Sequence, residues 1–420
     1  MLNRYYEQEL AGLKDLAVEF SRAHPTLAPL LGGASTDPDV ERLLEGVAFL
    51  SGQIRQKLED EFPEVVQTLA QLFFPHYLRP IPCASVVAFS PKMKLDASLA
   101  VAAGTELASV PVDGVRCRFR TCFPTRVDPI RLTGARLDQS PGQPAAVELG
   151  FTLEGVDLVT FAPTDLRLFL SGGYADATRL YYLLQRFVKR IVVATDGGSP
   201  FVLSPAAVRP VGFASGEELI PYPSQSYPGY RILQEYLALP EKFLFLDLTG
   251  LAEWEGRGNG GRFTVRFELA EVPDWTPPVR PDQFTLHATP VVNLFTTDAT
   301  PISLDHRKTE YPVRASGAGP SRYPVYTVDR VIGFRQGSAG QRDYVPFEMF
   351  RGGAVGAKGG AYQTRVRPAR IGAGIEVFLA VAYGADEPLG VPETLSLSVT
   401  VTDGSAPESL RLGDINAATD

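Results

Sequence analysis

Residues 37–82 read DPDVERLLEGVAFLSGQIRQKLEDEFPEVVQTLAQLFFPHYLRPIP, a dense helical pattern that ends against a cluster of prolines. Asp37 is predicted to cap a helix that begins at Pro38, because the fixed φ of proline suits the first helical position. Apolar residues then recur at spacings of three and four, with Ser51 filling a gap: Val40, Leu44, Val47, Ile54 and Leu58. A stripe of this length must be buried against another element, so it decides the fold of this region.

Prolines are predicted to end this helix in steps, since proline removes a helical hydrogen bond and restricts the residue before it. The first is Pro63, and a separate short helix is predicted from Val65 to Phe73. The helical region then closes at Pro75, Pro80 and Pro82.

An earlier helix is predicted over residues 2–23, before a break at residues 24–33. Its apolar side chains follow the four-three spacing of helices that pack on other helices: Tyr6, Leu10, Leu13, Ala17 and Phe20. Two interpretations are open. Either the helices form a self-contained hairpin, or their stripes exceed what a hairpin can bury and join helices of other subunits. The second interpretation makes both stripes candidate partner interfaces.

Beyond the prolines, the hydrophobic period changes from that of a helix to that of a strand. Residues 115–121, 262–269 and 395–402 alternate between apolar and polar positions. One helix is predicted within the β-rich part, over residues 176–189, with Asp176 as its cap. The predicted fold class is therefore α+β, with an amino-terminal helical bundle segment followed by β-rich, sandwich-like domains with an inserted helix.

A chain of 420 residues exceeds the usual size of a single core, so two or three domains are expected. The predicted domains are a helical region at 1–82 that shares a bundle with partner subunits, a β-rich domain with one helix at 83–280, and a second β-rich domain at 281–420. The second boundary falls in the proline-rich stretch 272–282, and a mobile loop is predicted at 351–361.

The formal net charge of −8 produces a field that repels nucleic acid and anionic lipid. Neither nucleic-acid binding nor direct membrane insertion is therefore expected. Charged residues near the start interrupt any apolar leader, and no run of about 18 apolar residues occurs. We expect a soluble, cytoplasmic protein whose three cysteines are reduced structural thiols.

No pattern in the chain predicts a catalytic residue, a cofactor or a metal site, so an enzyme is not expected. Residues 256–261, GRGNGG, have the spacing of a dinucleotide-binding loop, but a strand follows where that motif needs a helix. Asn259 and Gly260 are therefore interpreted as a hairpin turn. Each histidine stands alone in the sequence, and His287 is assigned to a strand.

Two further groups of residues have two interpretations each. Arg116, Arg118 and Arg120 share one face of the strand 115–121, where they either contact an acidic partner or form a solvated face that discourages edge pairing. The solvated face is favoured.

Aromatic residues of the segment 219–248 either line a carbohydrate groove or anchor a core and an interface: Tyr222, Tyr227, Tyr230, Tyr236, Phe243 and Phe245.

The block over residues 37–82 closely resembles the amino-terminal part of the TssF family of type VI secretion baseplate subunits, also called VasA or ImpG. Residues 215–248, 288–295 (ATPVVNLF) and 325–331 (VYTVDRV) resemble the family's central motifs and follow the family's order. The segments CRFRTC (117–122) and TDLRLFLSG (164–172) fit as well. Several long blocks in order are far more specific than one short motif, and they favour packing and subunit contact for the aromatic segment.

The resemblance implies a structural wedge subunit of a cytoplasmic baseplate, docked at the inner membrane, on which a contractile sheath and tube assemble. It implies that two copies of the chain join one TssG, that the wedge recruits TssK and TssE, and that six wedges surround a VgrG hub. The second copy and the neighbouring wedges are then partners as well. Residues 2–74 are expected to contribute to a helical bundle shared with TssG and the second copy.

Two departures from the family's pattern stand out. Residues 402–414 retain Pro407, Leu410 and Gly413 but lack the polar cluster of the family's Asn-Arg-Asp-Leu-Pro motif. The chain also ends at Asp420 where family members continue, so a truncated or a shortened member is expected. Two rival interpretations are a wedge protein of a related contractile phage-tail-like particle and a β-rich carbohydrate-binding or carbohydrate-active module.

Overall fold

The computed structural model describes residues 2–26, 38–91, 93–222, 227–305, 307–317, 322–335, 340–347, 360–369, 374–382 and 392–418. The chain divides into two compact units, Met1–Leu78 and Arg79–Asp420. The first unit is helical and the second is dominated by strands. The predicted α+β class is therefore confirmed.

The described residues of the first unit contain two helices, α1 (Leu2–Ala23) and α2 (Pro38–Phe73), followed by a 3-10 turn at Pro75–Leu78. The predictions of a helix over residues 2–23 and of a helix start at Pro38 are confirmed. The predicted stop at Pro63 and the separate helix from Val65 are wrong, because α2 is continuous over 36 residues. One hydrogen bond lost at an internal proline is a small part of those that a helix of this length retains. Asp37, the predicted cap, lies outside the described residues.

Small residues form the contact between α1 and α2. Ala17 and Ala48 are buried, and so is Gly52. A Cβ atom added at Gly52 would lie 3.1 Å from the backbone nitrogen of Tyr6, so the α1 backbone comes very close to α2 there. The hairpin therefore closes through small side chains, and its large apolar side chains are not needed for this contact.

The second unit contains five sheets among the residues that the structure describes. The first has the strand order β1 (Ala84–Ala88), β15 (Ala288–Val292), β4 (Val115–Thr121), β3 (Glu106–Val112) and β24 (Ile415–Ala418). The second has the order β10 (Phe201–Leu203), β9 (Val188–Thr195), β13 (Arg262–Leu269), β7 (Ala146–Leu153) and β6 (Ile130–Asp138). The third has the order β11 (Val208–Val211), β12 (Phe245–Leu248), β8 (Leu166–Leu170) and β14 (Phe284–Thr285).

The fourth sheet has eight strands in all, and β17 (Ile302–Leu304) pairs with β23 beside the main path. That path is β16 (Phe295–Asp298), β23 (Glu393–Val401), β19 (Val325–Arg335), β20 (Gln341–Pro346), β21 (Gly360–Pro368), β22 (Ile375–Ala382) and β18 (Tyr311–Pro312). The fifth sheet joins only β2 (Leu99–Val101) and β5 (Thr125–Val127).

The predicted strands at 115–121, 262–269 and 395–402 are thus confirmed as β4, β13 and most of β23. Of the loop predicted at 351–361, only the last two residues are described, and they begin β21.

The largest core lies between the second and third sheets and includes the helix α3 (Tyr174–Arg186). Leu180 and Leu183 of α3 are fully buried in it. The helix predicted at 176–189 is therefore present, but its predicted end is wrong, because residues 188 and 189 begin β9. Its cap is Gly173, whose carbonyl accepts from the Ala177 N–H at 2.9 Å, and Asp176 lies in the first turn within 3.8 Å of Arg179.

A second helix in the β-rich unit, α4 (Pro228–Ala238), was not predicted from the sequence. Proline near its first position is a helix-start signal. The sequence pattern did not predict this helix, because its charged residues Arg231 and Glu235 are buried while apolar ones are exposed. An amphipathic helix usually has its apolar side toward the core.

A buried polar contact joins the first and fourth sheets. The Asn293 side chain donates to the Asp403 carboxylate and to the Arg118 carbonyl, at 2.7 Å each, and it accepts from the Asp403 N–H at 2.7 Å. The first sheet also takes β15 and β24 from the region beyond residue 280 and pairs them with earlier strands. The division of the β-rich part at residue 280 stays a prediction.

The glycine-rich segment 256–261 precedes β13 directly, as the sequence indicated. The interpretation of Asn259 and Gly260 as a hairpin turn is wrong, because the preceding strand β12 belongs to another sheet. The segment instead lies against the turn after β9, where the Ser199 N–H donates to the Gly256 carbonyl at 3.0 Å.

His287 lies between β14 and β15 in a left-handed conformation with φ +56°, so its assignment to a strand is wrong. Its Nε2 accepts a hydrogen bond from the Asp128 N–H at 3.1 Å, and its carbonyl accepts from the Phe89 N–H at 3.0 Å. Burial lowers the pKa of His287, and the nearby Arg126 lowers it further, while the charge of Asp128 acts in the opposite direction. The neutral imidazole is therefore the form that fits the fold.

The substitutions Gly46→Ala and Gly52→Ala form a matched pair in one helix. Alanine in place of a helical glycine stabilises by about 0.5–1 kcal/mol when nothing opposes it. A Cβ at Gly46 meets no described neighbouring atom within 4 Å, whereas one at Gly52 crowds Tyr6. We expect slower hydrogen exchange of the α2 amides in Gly46→Ala only, and equal slowing in both variants would contradict the close contact.

The pKa of His287 predicts a loss of stability in mild acid. The unfolded histidine has a pKa of about 6.5, and the folded value is lower, so the unfolded state binds more protons between the two values. Stability is then present above about pH 6.5 and lost as the pH falls through that window. His287→Asn removes the titration and tolerates positive φ. We expect its free energy of unfolding to fall less than that of the wild type between pH 7.5 and pH 5, and parallel curves would contradict this role.

Candidate partner interface

Four large apolar side chains form an exposed stripe on α2. Leu43, Val47, Leu50 and Ile54 are 69%, 43%, 60% and 62% exposed. Their spacing of four, three and four residues places them on one side of the helix, as in a coiled-coil seam. Burying each of them would contribute about 1.5–3 kcal/mol, so this stripe has the composition of a helix–helix contact that the hairpin itself does not make.

The helix α1 also exposes large apolar side chains. Leu16 is 60% exposed and Phe20 is 44% exposed. Together with Leu13 and Leu44 they line an open groove of about 580 Å³ between the two helices. We refer to this groove and the α2 stripe together as the hairpin face.

Polar contacts flank the two helices. Arg55 donates to Glu9 at 2.8 Å, and Lys14 lies 3.5 Å from Glu41. These exposed pairs contribute little to stability. They help to fix the alignment of the helices while the apolar residues of the hairpin face are exposed.

The residues predicted for the two stripes have different positions in the hairpin. Ala17 is buried, and five others are half-buried near the contact: Tyr6, Leu10, Leu13, Val40 and Leu44. Phe20, Val47 and Ile54 are exposed. The side chain of Leu58 lies outside the described part of the structure. The predicted seam therefore divides into residues near the contact and residues of the hairpin face.

Three residues of the hairpin face were not among the predicted interface residues: Leu16, Leu43 and Leu50. The sequence did contain a signal, since Leu43, Val47, Leu50 and Ile54 have heptad spacing. The predicted stripe shares Val47 and Ile54 with this pattern but runs through Val40 and Leu44 instead of Leu43 and Leu50. The structure shows that Ala48 and Gly52 form the α1 contact, which turns Leu43 and Leu50 toward solvent.

The arginines of β4 have three different surroundings. The Arg118 guanidinium lies 3.6 Å from the centre of the Phe295 ring. Arg120 lines a pocket with Cys122 and Glu218, and Arg116 is exposed. The interpretation that they discourage edge pairing is wrong, because β4 is the third of five strands. Whether any of them contacts a partner stays a prediction.

The aromatic segment divides between core and surface. Phe243 and Phe245 are buried, whereas Tyr227, Tyr230 and Tyr236 are exposed on or beside α4. Phe245 packs on Phe123 with ring centres 5.6 Å apart. The segment therefore supplies core residues at its end and a surface at its centre.

A buried ion pair holds α4 in place. The Lys242 ammonium donates to the Glu235 carboxylate and to the Gly212 carbonyl, and both charged side chains are almost completely buried. The Glu235 carboxylate also accepts from the Leu219 N–H at 2.7 Å and from the Ile220 N–H at 3.3 Å. Burial lowers the pKa of Lys242, and the charge of Glu235 partly opposes that shift.

Among the described residues, no group of three or more histidine, cysteine, aspartate or glutamate side chains is arranged to hold a metal ion. No helix in the described ranges is long and apolar enough to cross a membrane. The cysteines 83, 117 and 122 are free thiols. Burial raises the pKa of Cys122 to about 12, so this thiol stays protonated at neutral pH.

Comparison with known proteins gives one consistent family. The family model for "Type VI secretion system, TssF" matches residues 1–420. The curated type VI secretion system component TssF1 of Pseudomonas aeruginosa is 30% identical over 381 residues, which cover 83% of this chain. The chain spans 60% of the length of that relative.

A solved structure agrees with this family. One chain of the TssK-TssF-TssG baseplate subcomplex of the type VI secretion system, determined by cryo-electron microscopy, superposes with a TM-score of 0.71 at 28% identity. The match covers 90% of this chain and 70% of that chain.

The buried ion pair leads to a double-mutant test. Lys242→Met leaves the Glu235 charge buried without its cation, which costs about 3–5 kcal/mol. Adding Glu235→Gln removes that charge and keeps an oxygen that accepts from the Leu219 N–H. We expect the double variant to recover much of the free energy of unfolding in urea titrations. A double variant less stable than Lys242→Met alone would show that the pair does not act as a unit.

Proposed function

Because this chain belongs to the TssF family of type VI secretion system proteins, we propose that it is a structural wedge subunit of a baseplate. The observation that best supports this role is the hairpin face, where large apolar side chains are exposed at helical spacing. Contiguous exposed apolar surface of this kind marks protein–protein contact. The hairpin face is completed when helices of other subunits cover it.

We propose TssG and TssK as partners, because the similar solved chain belongs to a TssK-TssF-TssG subcomplex. Two copies of this chain join one TssG, and residues 2–74 contribute to the shared helical bundle. The region 1–82 is the bundle domain, and the domains at 83–280 and 281–420 reach toward neighbouring wedges. TssE and the VgrG hub complete the partner set, as the family resemblance implies.

A wedge subunit acts by holding partners in position. We therefore propose no catalytic role and no cofactor for this chain. The proposed location is the cytoplasmic baseplate, docked at the inner membrane. The surfaces that carry out this function are then contact surfaces, and substitutions of their apolar residues test it.

The stoichiometry is the first test of this function. The chain is co-expressed with the TssG-type protein encoded beside it, and the mass of the complex is measured by light scattering after size exclusion. Two copies of this chain per partner are expected. A monomer that does not bind the partner would count against the wedge role for residues 1–420.

The hairpin face predicts a loss of assembly without a loss of folding. Val47→Glu combined with Ile54→Glu places two charges on exposed positions, so the chain is expected to stay soluble and folded, with unchanged circular dichroism. Complex formation with the TssG-type partner is expected to be abolished, because each buried charge would be unpaired.

The matched control is Val159→Glu, a similar change at a position of the β-rich unit that is 71% exposed. It is expected to leave the complex intact. If the double variant of α2 still forms the complex, the hairpin face does not have this role.

A further inference from the structure

The helix α4 has its charged residues inside and its apolar residues outside. Arg231 and Glu235 are its buried side chains, at 5% and 1% exposure. On the outer side, Tyr230, Leu233 and Leu237 recur at spacings of three and four, and Leu237 is 75% exposed. A helix that only covers a core has the opposite arrangement, so the outward face of α4 needs its own explanation.

The buried charges are well bonded. The Arg231 guanidinium donates to the carbonyls of Phe213 and Ala214, at 2.9 Å and 3.2 Å, and lies 3.3 Å from Glu218. Glu235 pairs with Lys242. These contacts hold the helix firmly without using its apolar residues. The fold thus fixes α4 and leaves Leu233 and Leu237 exposed on its outer side.

The apolar surface continues on both sides of α4. Tyr236 is exposed, and its hydroxyl lies 3.2 Å from that of Tyr174 on α3. Tyr227 is exposed before the helix, with its ring centre 5.7 Å from that of Tyr230. Phe213 is exposed beside it. We call this surface, from Tyr174 and Phe213 to Leu237, the α4 face.

The segment that carries the α4 face is acidic. Within residues 212–242, the two cations are Arg231 and Lys242, and both are buried. The carboxylates of Glu217, Glu218 and Glu241 are only half-buried. The charge that this segment presents to solvent is therefore negative. A complementary partner brings positive charge around an apolar centre.

We propose that the α4 face docks an amphipathic helix of a partner subunit, with an apolar stripe flanked by lysine or arginine residues. The row of Tyr230, Leu233 and Leu237 forms a ridge that fits the groove between the side-chain rows of a second helix. Tyrosines at its edges suit an interface, because they combine apolar rings with hydroxyl groups. This inference rests on the proposed function for the identity of the partner as a baseplate subunit, and it adds a docking surface in the β-rich unit.

The test uses the full chain with purified TssG-type and TssK-type subunits as probes, each alone and both together. Leu233→Glu and Leu237→Glu each bury an unpaired charge in the interface and are expected to weaken binding of one probe at least about tenfold. Both positions are exposed, so the variants are expected to fold. Val159→Glu is the matched control and is expected to bind as the wild type does.

The charge of the partner has its own test. Glu241→Lys reverses a carboxylate at the edge of the α4 face. It is expected to weaken binding several-fold at low salt, with the difference shrinking as salt is raised to about 0.5 M, where exposed charges are screened. Tighter binding by Glu241→Lys would overturn the proposed sign of the partner's charge.

A photo-crosslinking residue in place of Leu237 identifies what covers the face. The expected product joins position 237 to a helix of the probe subunit with apolar residues at spacings of three and four and nearby lysine or arginine. A crosslink to an acidic or non-helical segment would overturn the proposal. So would unchanged binding of both probes by Leu233→Glu and Leu237→Glu.

The two proposals fail in different ways. If the wild-type chain binds neither probe, the wedge function and this inference are both overturned. If the wild type binds and Val47→Glu with Ile54→Glu abolishes binding while the α4 variants bind as the wild type does, only the inference about α4 is overturned.

Discussion

Asn293 and Asp403 connect parts of the chain that lie 110 residues apart, and the arrangement of the β-rich unit depends on them. The Asn293 amide group donates to the Asp403 carboxylate and to the Arg118 carbonyl, and its oxygen accepts from the Asp403 backbone N–H. The Asp403 carboxylate also accepts from the Arg118 N–H at 3.0 Å. Both side chains are buried, where an unpaired polar group costs about 1–3 kcal/mol. No single partner can move without leaving the others unsatisfied. The middle of β4 and the ends of β15 and β23 are thereby held at one point, which fixes the first sheet against the fourth.

The two units present apolar surface on helices by different means. In the hairpin, Ala17, Ala48 and Gly52 make the contact between the helices, so the large side chains are not used there. On α4, buried ion pairs make the attachment, so the apolar side chains are not needed for it either. In both cases the contacts that hold the helix in the fold are specific, and they use particular small or charged groups that other residues cannot easily replace. The outer surface is then free to match a partner.

The sequence predicted most of the elements in which local pattern and tertiary environment agree. The helix α1 and the alternation in β4 follow directly from apolar spacing, because the buried residues are the apolar ones. Prediction failed where the environment reverses that rule. The helix α4 buries the charged residues Arg231 and Glu235. The helix α2 continues through Pro63, because it loses only one of its many backbone hydrogen bonds there. His287 adopts positive φ because its carbonyl and ring both bond to neighbouring loops, which local sequence does not show.

The small contact between α1 and α2 also has a consequence for how much of this protein persists in a cell. Among the described side chains of the two helices, few are fully buried, so we expect the hairpin to open locally more easily than the sheets do. Binding of a partner helix stabilises the closed form by mass action. Under the proposed function, a copy without its partner would expose its helices to proteases more than an assembled copy would. The hairpin would then couple the lifetime of the chain to the supply of its partners.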